Sequence, residues 1–264
     1  MGHTRLGELP RTRKWQEVVE LIAIGANVSQ IANATIRAAE NAFSYVTDDT
    51  GYNQSVWLLA QFALAAKTNN PLDYLRQQGV DIPDRPTLSC VTAAMSDALD
   101  RHVSQEGKHS DLGELSMRAL VDTVVSQVAS RVQEKYLFDM GHDIVRLVMN
   151  EFDTPKKFGE LSRNFYSRLT YESLNYFLSL TTRSAFGEGH PFATMNQVAH
   201  FEEALKTHCY EASKIVEQFS GEWFSLHRYE EKGDISRDSV EGFASYALKK
   251  MKDELKAGAK SDAT

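Results

Sequence analysis

Six prolines (Pro10, Pro71, Pro83, Pro86, Pro155 and Pro191) stand between the long amphipathic stretches of this chain and never inside one. Proline lacks the N–H that a helix interior needs, and its ring clashes with the preceding turn. It is tolerated at a helix start and excluded from the middle. Between the prolines, apolar residues recur at 3.6-type spacing, without the period-two alternation of half-buried strands. The pattern predicts an all-α protein, an irregular multi-helix bundle of roughly nine helices that is open to division into two packed helical subdomains.

Start and stop signals place the elements. Residues 1–10 read as an extended arm. A first helix over 11–24 turns Trp15, Val18, Val19 and Ile22 inward and stops at Gly25. Asn27 is a helix cap for a second helix to residue 46, with Ile31, Ala34, Ala38 and Phe43 inward, and Asp48-Asp49-Thr50-Gly51 reads as a turn. Helices over 53–67, from Pro71 to before Gly79, and over 88–105 complete an N-terminal subdomain, 11–106. The polar break Glu106-Gly107-Lys108-His109-Ser110 is the candidate boundary. A C-terminal subdomain, 111–256, follows. It holds a helix of about 25 residues from Asp111, one over 143–152, a long central helix 155–186 entered through Thr154-Pro155, one over 195–219, and a last helix capped by Ser236. Residues 257–264 read as a disordered tail.

Of the 264 residues, 42 % are hydrophobic and 25 % charged, a balance that supports a buried core and excludes a disordered chain. The densest apolar run, Val56 to Ala60, ends at Gln61, far short of the ~18–20 residues of a membrane span. Charge near the N-terminus has no apolar segment behind it, so a cytoplasmic protein is expected. Cys90 and Cys209 belong to no C-x-x-C pair and are expected as buried small hydrophobes. The net charge of −7 disfavours a protein that coats nucleic acid, because such binding draws on phosphate neutralisation by Lys and Arg.

Within the central helix, Phe165, Leu169, Tyr176 and Leu180 make one apolar row, flanked by Leu174, Phe177 and Leu178. Turned away from it lie Asn164, Ser167, Arg168, Tyr171, Asn175, Ser179 and Thr182. A solvated face is usually rich in Lys and Glu, whereas this one is uncharged hydrogen-bonding residues plus arginine. That composition suits either a helix buried on several sides or a protein–protein contact, where Tyr and Arg are enriched and Lys and Glu depleted. Asn164, Arg168, Tyr171, Asn175 and Ser179 are the candidate interface residues.

The same helix leads into Arg183-Ser184-Ala185-Phe186-Gly187-Glu188-Gly189-His190. This Arg–x6–His spacing resembles the loosest form of the motif of HEPN-type helical ribonucleases. The resemblance covers eight residues. It implies His190 as general acid or base and Arg183 as the group that stabilises charge developing on phosphate. The family sets its motif at the start of a helix; here Gly187, Gly189 and Pro191 interrupt the backbone.

The remaining patterns are weaker. No Glu-x-x-His pair lies within a predicted helix, and His200, His208 and Cys209 lack zinc-ligand spacing. No phosphate loop, dinucleotide fingerprint or nucleophile elbow is present. No metal or cofactor is therefore expected. Arg5, Arg11, Arg13 and Lys14, interleaved with Leu6, Leu9 and Trp15, make a basic arm that could touch nucleic acid or dock on another protein. The leading expectation is a non-catalytic adaptor or scaffold subunit of a bacterial multi-protein complex, an antiviral defence system being one setting. Its partners would be other protein subunits or a second copy. The alternatives are a HEPN-like ribonuclease and a nucleic-acid-associated regulator acting through the arm.

Overall fold

The computed structural model describes residues 13–39, 48–135, 144–184 and 194–261. Among them are eleven α-helices and no strand, so the architecture is the all-α multi-helix bundle that the proline and apolar spacing predict. Helix α1 (Arg13–Ala23) buries Trp15, Val18 and Ile22 on one stripe. Val19, grouped with them by spacing, is 42 % exposed, because it lies round the cylinder at the stripe's edge. Helix α2 (Val28–Ala38) begins where expected, the Asn27 side chain accepting the Gln30 N–H at 2.9 Å and satisfying one of the orphan amides of the first turn. It ends at Ala38, and the expected continuation, Phe43 included, falls almost wholly outside the described residues.

Helix α3 (Thr50–Ala65) corrects the expected turn at 48–51. The Asp49 carboxylate accepts the Tyr52 N–H at 2.8 Å, which makes Asp49 a cap and Thr50-Gly51 the first helical residues. Gly51 is there for packing rather than for turning. A Cβ on it would lie 2.6 Å from the Gly113 Cα, so the α3 backbone crosses the next long helix at a distance only two glycines permit.

Helices α4 (Pro71–Gln77), α5 (Leu88–Glu106) and α6 (Asp111–Lys135) follow. The polar break between α5 and α6 is a corner. Gly107 in the left-handed region (φ 65) closes α5, and the Ser110 hydroxyl accepts the Gly113 N–H and donates to Asp49. Helix α7 (Ile144–Met149) runs into a 3-10 turn, Asn150–Phe152, before α8 (Pro155–Ser184).

After residues 185–193, which lie outside the described residues, come α9 (Met195–Ala212), α10 (Lys214–Glu230) and α11 (Arg237–Ser261), the last extending into the expected tail. Thr194 and Gln197 form a reciprocal capping box at the start of α9. The single helix expected over 195–219 is two, α9 and α10. Ser213, fully buried, donates its hydroxyl to the Tyr210 carbonyl at 2.7 Å. Such a local bond competes with the helical ladder and turns the chain at that residue. Helix α10 then carries Trp223 and Phe224 through a stretch the spacing left unassigned.

Helix α8 is the hub, packed against α2, α3, α6, α9 and α10. Its N-terminal half buries Phe158, stacked on Phe224 at 4.5 Å, while Trp223 stacks on Phe243 at 4.4 Å. Offset rings of this kind add stabilisation beyond their buried area. Buried residues from both predicted subdomains, from Trp15 to Leu255, belong to a single cluster. At its centre the Tyr52 hydroxyl donates to the Ala244 carbonyl at 2.7 Å and lies 2.9 Å from the Tyr166 hydroxyl. No helix among the described residues is long and apolar enough to cross a membrane.

Candidate functional site

Helices α6 and α9 both pack on α8 and leave a valley whose floor is the polar face of α8. The valley is an open groove of about 610 Å³. Its floor carries Asn164, Ser167, Arg168, Tyr171 and Glu172; Ala119 and Asp122 come from α6, and Glu203, Lys206, Thr207 and Tyr210 from α9. The floor residues recur at i, i+3, i+4 and i+7, one face of a helix. Because the opposite face is fixed in the core by Phe165, Tyr166 and Leu169, all buried, the polar face can point only into the valley.

Three floor side chains are held in place. The Asn164 amide donates to the Glu160 carbonyl at 2.7 Å, which leaves its oxygen free to accept. The Arg168 Nη2 donates to the Ser126 hydroxyl on α6 at 2.9 Å. Lys206 reaches over from α9 with its ammonium 5.3 Å from the centre of the Tyr171 ring, within cation–π range. The Tyr171 phenol is pushed up to about 12, first by burial and then by nearby carboxylates led by Glu202 and Glu172. It is therefore a hydrogen-bond donor throughout the ordinary pH range.

The α9 wall is held from beneath by Arg163. Its guanidinium lies 3.9 Å from the centre of the Tyr210 ring, donates to Glu217 at 2.8 Å and to the Tyr210 carbonyl at 3.3 Å, and stands 3.6 Å from Glu211. One side chain of α8 thus clasps both sides of the α9–α10 turn.

Of the candidate interface residues, Asn164, Arg168 and Tyr171 line the groove, whereas Asn175 and Ser179 continue the same face as half-buried residues beyond it. Ser179 donates to the Tyr176 carbonyl at 3.3 Å. Arg183 lies in the last turn of α8, not at a helix start, and its side chain, like the whole of His190, is outside the described residues. Arg13 and Lys14 are exposed at the start of α1, while Arg5 and Arg11 are outside the described residues. The sequence reading missed Glu172, a carboxylate on the α8 face itself, and Asp122, Glu203, Lys206, Thr207 and Tyr210, because nothing local in α6 or α9 marks the face that will meet α8.

Cys209 is buried as expected, its thiol pushed up to about 12 by that burial. Cys90 is only half-buried; it follows the Thr87 cap by three residues, and the Thr87 hydroxyl donating to its sulfur holds its thiol below the ordinary value. Among the described residues no group of three or more His, Cys, Asp or Glu gathers to hold a metal ion. Comparison with protein-family models, with curated proteins and with solved structures finds no match.

Proposed function

We propose that this chain is a non-catalytic helical adaptor that recognises a partner protein through the groove between α6, α8 and α9, as a subunit of a bacterial multi-protein complex. The observation that supports the reading is the use made of the α8 polar face. Bonds to neighbouring helices use only part of it, Arg168 on Ser126 and Tyr171 under Lys206, and Asn164, Arg168 and Tyr171 still line an open groove with an aromatic and a lysine on its far wall. A volume of about 610 Å³ is in the range of small-ligand sites, but those are mostly enclosed and apolar with few polar groups. This groove is open, and its Arg168, Tyr171 and Tyr210 are residue types enriched at protein contacts, whereas its Asp122, Glu172, Glu203 and Lys206 are types depleted there.

Size-exclusion chromatography with light scattering tests this, using the full chain expressed alone and together with the products of its neighbouring genes. The expected result is a complex, or a dimer of this chain, that Tyr171→Ala disperses while the helical circular dichroism stays unchanged. A monomer under every condition that turns over a substrate by itself would overturn the adaptor reading.

A further inference from the structure

The groove holds a positive group without a negative partner. Arg37, Arg76, Arg101, Arg131 and Arg163 each engage a carboxylate within the chain. Arg168 does not. Its one hydrogen bond among the described residues goes to the neutral Ser126 hydroxyl, although a guanidinium carries five N–H donors in a fork that matches a carboxylate. It is half-buried on the groove floor, so it has lost part of its hydration without gaining an ion pair. One turn away, Tyr171 directs no hydrogen bond to any described residue, and Lys206 above it is 3.9 Å from Glu203, the outer limit of an ion pair.

Arg168, Tyr171 and Lys206 therefore line one groove with most of their donor capacity unused among the described residues. Around them stand three carboxylates, Asp122, Glu172 and Glu203, against two cations, Arg168 and Lys206. A phosphodiester chain, carrying a negative charge at every residue, would meet repulsion along most of the groove. A single carboxylate paired with Arg168 would meet that repulsion at one point only and offset it there by the ion pair, and basic neighbours on either side of it would meet the acidic rim.

We infer, on the reading of the groove as a protein-contact surface, that its anchor is one aspartate or glutamate of the partner, received by Arg168 with Lys206 and the Tyr171 hydroxyl and flanked on the partner by neutral or basic residues. Charge-assisted, two-pronged hydrogen bonding of this kind fixes register as well as adding affinity.

The test is an NMR titration of the full-length protein, labelled at arginine and tyrosine. The probes are N-acetylglutamate α-amide, its glutamine counterpart, N-acetyl-lysine amide and dimethyl phosphate. The glutamate probe is expected to move the Arg168 side-chain signal saturably at millimolar concentration and to leave the carboxylate-paired Arg76 and Arg101 still. Read at the Tyr171 ring, Arg168→Ala should weaken that binding roughly tenfold or more, and Arg168→Lys should restore part of it. The proposal is overturned if the glutamine or lysine probe moves Arg168 as well as the glutamate probe does, if dimethyl phosphate binds more tightly, or if no probe moves it. If the glutamate probe fails while Tyr171→Ala still disperses the complex, the carboxylate anchor falls and the contact surface stands. If the probe binds but the complex ignores every groove substitution, the partner reading falls and only a small-carboxylate site is left.

Discussion

Tyr52 and Tyr166 show what single residues contribute to this core. Both are fully buried, and burial holds both phenols well above the ordinary value, with the Tyr166 phenol as a further cause at Tyr52. Tyr52→Phe would strip the bond to the Ala244 carbonyl and leave the Tyr166 hydroxyl without that partner, an expected cost of about 1–3 kcal/mol in urea unfolding. The pH dependence follows from the raised values. In the unfolded chain these phenols ionise near pH ~10, before the folded ones do. Their contribution is therefore intact below that pH and is lost progressively above it. Stability is expected to fall above about pH 10, and the double variant Tyr52→Phe/Tyr166→Phe to start lower at neutral pH but to fall less steeply. A part of the slope persists through Tyr74 and Tyr171, whose values are also raised. An unchanged alkaline slope in the double variant would contradict the assignment. None of this pairing is visible in the sequence, where the two tyrosines stand over a hundred residues apart and look like any aromatic on an apolar stripe.

At the scale of elements, the boundaries that follow local chemistry were legible and those that follow tertiary contact were not. The Asn27 cap, the Pro155 start and the 25-residue α6 come from side chains acting on their own turn. The helical place of Gly51 depends on a partner far along the chain, and the α9–α10 break on a side-chain bond that spacing alone does not reveal. Thr50-Gly51 looks like a turn until Gly113 is beside it, and Ser213 looks helical until its hydroxyl is seen on the Tyr210 carbonyl. The α3–α6 crossing provides a sharp test. In an exposed helix Gly→Ala stabilises by up to ~1 kcal/mol, but at Gly51 the added Cβ would overlap backbone at 2.6 Å and no rotamer can relieve it. Gly51→Ala is expected to destabilise by about 1–3 kcal/mol net, as overpacking does, measured as a lower urea midpoint at constant m-value. A neutral or stabilising effect would show that the crossing can open to admit a methyl group.

For the whole molecule, the central decision is how α8 is surrounded. Five helices pack on it, enough to bury a hub completely, yet α6 and α9 stand apart over Asn164, Arg168 and Tyr171. The sequence shows that this face differs from an ordinary solvated one. It cannot show that the face stays open, because that depends on where two distant helices come to rest. The same limit hid Lys206 and Tyr210, which read as unremarkable residues on α9. The groove also explains how a chain with a net charge of −7 can present a positive anchor: the sign of a site is set by the few groups that converge on it, while the overall balance governs solubility and long-range encounter.

Photo-crosslinking in living cells tests this account most directly. A benzoylphenylalanine placed at Thr207, on the exposed groove wall, is compared with one at Asp253, exposed on α11 and outside the groove. The account predicts one discrete protein adduct from position 207, none of that size from position 253, and loss of the adduct when Arg168 is changed to alanine. No adduct at 207, or the same adducts from both positions, would contradict it.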